Sequence, residues 1–150
     1  MATQQFFQEA LVTALGQALG AAGYGPEENP VQWNGGLYRF RRRLGERLEL
    51  WVMYQLLAHP DYFSRFQVVL QRVPLAGEAR GPALGAARIS LPRLLWDVFA
   101  VRVLPGPDHW WAFHDVHTLG DGLLESGKLL IGYGLPWLDG SLTPEGRDSG

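Results

Sequence analysis

The sequence of 150 residues contains no cysteine, and this absence removes a large part of the possible chemistry. A disulfide framework and thiolate catalysis are both excluded, and no zinc site can draw on sulfur ligands. The absence also favours, weakly, the reducing cytoplasm. The N-terminus points the same way, because residues 1–5 lack the basic region that precedes the apolar core of a secretory signal. We therefore predict a cytoplasmic protein.

The chain also lacks a charge excess and a long apolar run. Its formal charge is −2 and its pI is about 6.1, so no bulk basic field exists to recruit nucleic acid or anionic lipid. No apolar run reaches the ~18 residues of a membrane span. Hydrophobic residues make up 47% of the sequence and include six tryptophans, which is enough for one folded domain.

Sequence motifs of common enzyme classes are absent as well. The glycine-rich stretch 77–85 is not followed by the Lys-Ser or Lys-Thr pair of a phosphate-binding loop, and Gly120-Asp121-Gly122 has no third glycine at the dinucleotide-binding spacing. Ser64, Ser90 and Ser126 lack the Gly-x-Ser-x-Gly frame of a nucleophile elbow. No cofactor is expected, and a non-enzymatic role is favoured.

The stretch from Leu48 to Leu57 organises the rest of the chain. It is almost wholly apolar, contains neither Gly nor Pro, and carries bulky side chains at both odd and even positions. Because side chains alternate between the two faces of a strand, this pattern predicts a central strand with material packed on both sides.

Neighbouring patterns predict further elements in an α+β arrangement. An antiparallel sheet of about four strands in a meander would be flanked by an N-terminal helix and two C-terminal helices. We predict strands at 37–43, 48–57, 62–73 and 110–113, helices at 3–22, from 91 and at 121–131, and a mobile loop at 75–87. Residues 1–140 would form a single domain, and residues 141–150 a flexible polar tail.

The order of these features resembles a bacterial domain-of-unknown-function family, the one numbered 4304. The resemblance depends on the first helix closing in Gly23-Tyr24, the strand Tyr38-Arg39-Phe40, the apolar strand ending in Gln55, the Trp110-Trp111 pair and the terminal Pro136-Trp137-Leu138. It implies a bacterial α+β domain with helices against an antiparallel sheet. It implies no catalytic residues.

Two sets of polar residues are candidate ligand sites. Arg39, Arg41 and Arg43 alternate along one predicted strand and would share a face, where guanidinium groups could bind an anion or could simply pair with Glu46 and Glu49. His114, Asp115 and His117 lie in a histidine-rich turn that could bind a metal. Alternatively, Asp115 or Thr118 caps the next helix and the histidines are solvated.

The tryptophan surplus indicates interaction with another protein. Adjacent Trp110 and Trp111 must face opposite sides of a strand, so Trp111 or Trp137 could remain uncovered as a partner-binding anchor, unless helices cover both faces of the sheet. We predict a non-enzymatic binding module that acts through a protein partner, as an accessory or immunity-type factor in a bacterium. The alternatives are a small ligand- or metal-binding domain or enzyme at the arginine row or the histidine turn, and self-association through the exposed tryptophans.

Overall fold

The computed structural model describes residues 3–27, 33, 35–59, 63–75 and 85–144, and it confirms the predicted α+β class. Within these residues, six strands form one antiparallel sheet. They are β1 (Gly25–Pro26), β2 (Leu37–Leu44), β3 (Leu48–Leu57), β4 (Ser64–Pro74), β5 (Ala87–Ser90) and β6 (Trp111–Phe113). Their order is β1-β2-β3-β4-β5, and β6 also pairs with β4.

The helices come from the two ends of the chain. Helix α1 spans Thr3–Ala21, and the short α2 (Leu91–Arg93) runs into a π-helical turn at Leu94–Val98. Helix α3 (Val116–Leu129) continues through a second π-helical turn, Leu130–Gly134, into α4 (Leu135–Asp139). In the described ranges, no helix has both the length and the apolar character needed to cross a membrane.

The predicted meander is confirmed, and β3 is its central strand. β2 and β3 pair from Leu44↔Leu48 to Leu37↔Gln55, joined by a turn in which Gly45 adopts φ 63°. β3 then pairs with β4 along its whole length. The structure adds β1 and β5 to the four predicted strands, because two and four residues are too short to show a periodic pattern.

One face of this sheet, which we call the inner face, carries the hydrophobic core. Phe7 of α1 packs against Tyr38 and Phe66 with ring centroids 5.3 Å apart in each pair. Tyr54 and Phe66 stack at 5.7 Å. The buried positions of α1 recur every four residues, at Phe7, Leu11, Leu15 and Leu19. Both chain ends therefore cover the same side of the sheet.

The prediction that material would pack on both sides of β3 is confirmed, because Trp51 and Met53 on the side opposite the core are also buried, at 9% and 4% exposure. The helices contact the inner face, for example through Phe7 on Tyr38 and Ser126 on Tyr54. On the opposite side, the guanidinium groups of Arg39 and Arg41 lie over the Trp51 ring.

The last helix begins at Val116, five residues earlier than predicted. Its N-cap is Asp115, whose carboxylate accepts the Thr118 N–H at 2.8 Å, while the Thr118 hydroxyl accepts the Asp115 N–H at 3.1 Å. This reciprocal capping box satisfies two backbone donors that have no partner within the helix. The predicted start at Asp121 was wrong because the cap lies upstream of the first regular apolar positions.

The predicted end of that helix at Ile131 was also wrong. Leu130–Gly134 form the π-helical turn, and the chain stays helical to Asp139. Gly134 is buried, and a Cβ there would lie 3.3 Å from Leu70 and 3.4 Å from Leu91. Here glycine permits close packing on the sheet, and tertiary contacts outweigh its low helix propensity.

Two predicted segments fall largely outside the described residues. Of the predicted loop 75–87, residues 76–84 are outside, and Ala87 already belongs to β5. Of the predicted tail, residues 145–150 are outside. Among residues 141–144, the Leu142 N–H donates to the Pro136 carbonyl at 3.1 Å.

Candidate functional site

The sheet face opposite the helices, which we call the open face, collects the odd-numbered residues of β2, β3 and β4. Strand register places Arg41, Trp51, Gln71 and Arg88 in one row across it. A second row holds Arg39, Met53, Val69 and Ser90, and Leu57, Arg65 and Ala112 lie together at one end.

The three arginines of β2 lie together on this face, as the alternation predicts. Arg39 pairs with Glu27 at 3.4 Å, whereas Arg41 and Arg43 both contact the same Oε2 atom of Glu49, at 3.5 and 3.6 Å. Side-chain exposure rises along the row from 26% to 39% to 57%. Two carboxylates thus offset part of the positive charge of three arginines, and Arg43 is the most accessible of the three.

Trp51 lies beneath two of these arginines, Arg39 and Arg41. The guanidinium carbon of Arg39 lies 4.2 Å from the centroid of its ring, and that of Arg41 lies 5.7 Å away. Cation–π attraction holds the planar groups over the ring. Their orientation is therefore fixed before any ligand arrives, which lowers the entropy cost of binding.

The open face carries charge of the sign opposite to that of the whole molecule. Among the described residues, five arginines lie on it (Arg39, Arg41, Arg43, Arg65 and Arg88), accompanied by Glu27 and Glu49. The excess on this face is three positive charges. The other described residues carry six basic and eight acidic side chains, a net charge of −2.

Sequence reasoning missed two of these five arginines. Arg65 lies two residues before Gln67 and six before Gln71 on β4, so the alternation of that strand already predicts that it shares their face. Arg88 donates to the Gln71 Oε1 at 3.2 Å from β5. No local pattern could place it there, because β5 joins the sheet through pairing with a distant strand.

The histidine turn acts as a helix cap in this structure. Asp115 uses its carboxylate for Thr118, and this hydrogen bond holds the pKa of Asp115 below its usual value. His114 lies 3.3 Å from Asp115 and stacks edge-on against Phe63 at 4.9 Å. His117 is exposed. Within the described residues, no group of three His, Asp or Glu side chains could hold a metal ion.

The third histidine of this region, His109, lines a small cavity that the sequence did not indicate. The cavity has a volume of about 350 Å³ and is also lined by Trp111, Thr118, Asp121 and Glu125. Burial lowers the pKa of His109, which favours its neutral form at pH 7. Glu125 accepts the Trp111 indole N–H at 2.8 Å, so it fixes the wall of the cavity.

The two candidate partner-binding tryptophans differ in position. Trp111 is only 4% exposed and stacks on Phe66 at 5.5 Å, so it is part of the core. Trp137 is half-buried, and the Arg72 guanidinium lies 3.9 Å above its ring while donating to the Trp137 and Leu138 carbonyls. Neither ring projects freely, and self-association through them stays a prediction for light scattering to test.

Comparisons with known proteins give no family assignment. The sequence matches no protein-family model, and searches of curated proteins and of solved structures found no match.

Proposed function

We propose that this protein is a non-enzymatic binding module whose open face docks an acidic segment of a protein partner. The observation that supports the proposal is the accumulation of five arginines on a sheet face that no described helix covers. Guanidinium groups bind carboxylates bidentately, and an oriented Arg–Trp surface has the composition of a protein-binding hot spot. Complementary charge would also accelerate association with an acidic partner.

The bacterial and cytoplasmic setting belongs to the same proposal. Membership of the domain-of-unknown-function family 4304, and a role as an accessory or immunity-type factor, are hypotheses that gene neighbourhood can test. A toxin or secretion-component gene beside this one would support them. Neighbours of unrelated metabolic function, repeated in several genomes, would count against them.

A defined probe tests the docking surface directly. We expect a labelled Glu/Asp-rich peptide of about 12 residues, long enough to span the sheet, to bind at low ionic strength and to weaken with added salt. Two-dimensional NMR should place the shifted amides on β2 and β3. Failure of the peptide to bind, or shifts confined to the helices, would refute the proposal.

A matched pair of charge reversals provides the control. Arg43→Glu changes the most exposed arginine of the row, and Lys128→Glu makes the same change in net charge on an exposed position of α3, which covers the inner face. Only Arg43→Glu should weaken peptide affinity, by roughly tenfold. Equal losses in both variants would indicate a bulk charge effect and not a docking site.

A small anionic ligand is the second candidate function. It is supported by the convergence of Arg41 and Arg43 on one carboxylate oxygen of Glu49. Glu49→Gln would free both guanidinium groups. Nucleotides or phosphosugars at millimolar levels should then raise the melting temperature of this variant more than that of the wild type. No shift in either protein would eliminate this candidate.

A further inference from the structure

The open face ends in a cleft with apolar walls. Leu57, Ala58, His59, Phe63, Arg65 and Ala112 line a volume of about 400 Å³. Leu57 is 41% exposed and Phe63 is 60% exposed, so two large apolar side chains face solvent at the same place. Exposed apolar side chains are unremarkable when scattered singly, but their clustering in a concave site indicates binding.

The cleft and the arginine row belong to one continuous surface. Leu57 pairs with Arg65, and Arg65 pairs with Ala112, so all three project from the open face. Leu57 lies six residues beyond Trp51 on β3, which corresponds to about 20 Å at the rise of a strand. A single extended segment of a partner could therefore reach both places.

The charge beside the cleft indicates what kind of partner segment it fits. Arg65 lies at its wall, with the guanidinium carbon 5.1 Å from the centroid of the Trp110 ring, and forms no ion pair with another described residue. Among the residues that the structure describes, no acidic side chain lines the cleft. Arg41 and Arg43 share Glu49, whereas Arg65 has no carboxylate partner in the described ranges.

We infer that this cleft holds a large apolar side chain of the acidic partner segment, with a neighbouring carboxylate of that segment on Arg65. The inference rests on the proposed function and specifies the partner further. The partner would carry one Leu, Met, Phe or Trp anchor in an otherwise acidic stretch. The arginine row would supply long-range attraction, and the cleft would supply the desolvated contact that sets the dissociation rate.

The test compares three peptides on the wild-type protein. One is acidic with a central Phe, the second is acidic with Ala in its place, and the third carries the Phe in a neutral background. We expect the first to bind about tenfold tighter than either of the others, since one buried aromatic anchor or one desolvated ion pair is worth at least that much. NMR shifts unique to the Phe peptides should fall on Leu57, Phe63 and Ala112.

Two variants locate the contact. Ala112→Trp should fill the cleft from its exposed wall and abolish the advantage of Phe over Ala. Arg65→Gln should reduce binding of the acidic Phe peptide but not of the neutral one. The wild-type comparison does not depend on the folding of either variant.

The failure of this inference can be told apart from the failure of the proposed function. Equal affinity of the acidic Phe and Ala peptides, with binding still lost in Arg43→Glu, would refute the cleft and leave the docking face intact. Unchanged binding of the acidic Phe peptide by Arg65→Gln would refute the role of Arg65, whereas equal affinity of the acidic and neutral Phe peptides would count against the proposed function itself. If neither acidic peptide binds, the proposed function fails, and this inference fails with it.

Discussion

At the scale of single residues, a buried hydrogen-bond chain links the sheet to α3. The Ser126 hydroxyl donates to the Leu123 carbonyl at 3.2 Å, and it therefore accepts from the Tyr54 hydroxyl at 3.3 Å. Both side chains are fully buried, and burial raises the pKa of Tyr54. Loss of the Ser126 hydroxyl therefore leaves Tyr54 without an acceptor, whereas loss of the Tyr54 hydroxyl leaves Ser126 bonded to Leu123.

Ser126→Ala should destabilise the protein by about 1–3 kcal/mol, because it leaves the Tyr54 donor buried without an acceptor. Tyr54→Phe should cost less, about 0.5–1.5 kcal/mol, since Ser126 keeps its bond to Leu123. Urea unfolding of both variants and of the double variant measures the coupling. If Ser126→Ala lowers the free energy of unfolding equally in the wild type and in Tyr54→Phe, the two hydroxyls do not form the hydrogen bond described above.

At the scale of elements, the histidine turn is a helix start. The same Asp115 that the sequence offers as a metal ligand caps α3, and its carboxylate is already engaged with Thr118. The expectation that Asp115 or Thr118 caps a helix is confirmed, since Asp115 is the N-cap and Thr118 completes the capping box. A local pattern carried this information, because capping depends on residues only three apart.

Asp115→Ala should lower the melting temperature at neutral pH but not at strongly acidic pH. The folded pKa of Asp115 is depressed, so the ionised carboxylate contributes stability above its unfolded pKa, near 3.9. That contribution is lost as the pH falls through the folded pKa. Melting curves of wild type and variant should therefore converge once the pH lies below the folded pKa. A difference that persists unchanged in acid would assign the effect to packing.

Glycines in α3 show how a helix packs close to its neighbour. A Cβ at Gly127 would lie 2.6 Å from the Leu15 Cδ2 of α1, whereas one at Gly120 would meet nothing within 4 Å. In α1, a Cβ at Gly20 also meets nothing within 4 Å, and one at Gly16 meets only Val12 of its own helix.

Gly120→Ala should stabilise the protein by up to about 1 kcal/mol through helix propensity. Gly127→Ala gains the same propensity but overpacks the contact with Leu15, at a cost of about 1–3 kcal/mol. We therefore expect shifts of opposite sign in thermal unfolding. Stabilisation by both substitutions would show that α1 and α3 lie farther apart than the structure places them.

At the scale of the whole molecule, the two ends of the chain share one core. Phe7, near the N-terminus, contacts Phe66 of β4 and Phe113 of β6. The buried cluster extends without interruption from α1 through the sheet to Leu138 of α4. Neither half of the chain could bury its apolar surface without the other, which is why a single domain was predicted.

We expect one cooperative unfolding transition. Guanidinium unfolding followed by far-UV circular dichroism, which reports secondary structure, should coincide with the curve from tryptophan fluorescence, since the six tryptophans are spread along the chain. Separate midpoints would show that the meander and the C-terminal helices unfold independently. They would contradict the prediction of a single domain over residues 1–140.

The sequence by itself determined the strands of the meander, the face shared by Arg39, Arg41 and Arg43, and the cap of α3. These features depend on alternation and on spacings of a few residues, which are local properties of the chain. Only the tertiary structure decided that helices from both ends cover the same side of the sheet. That choice, together with the pairing of β5 with β4, leaves Trp51 under arginines, brings Arg88 to the same face, and buries Trp111. It depends on contacts between distant residues, such as Phe7 with Phe113, which no local pattern encodes.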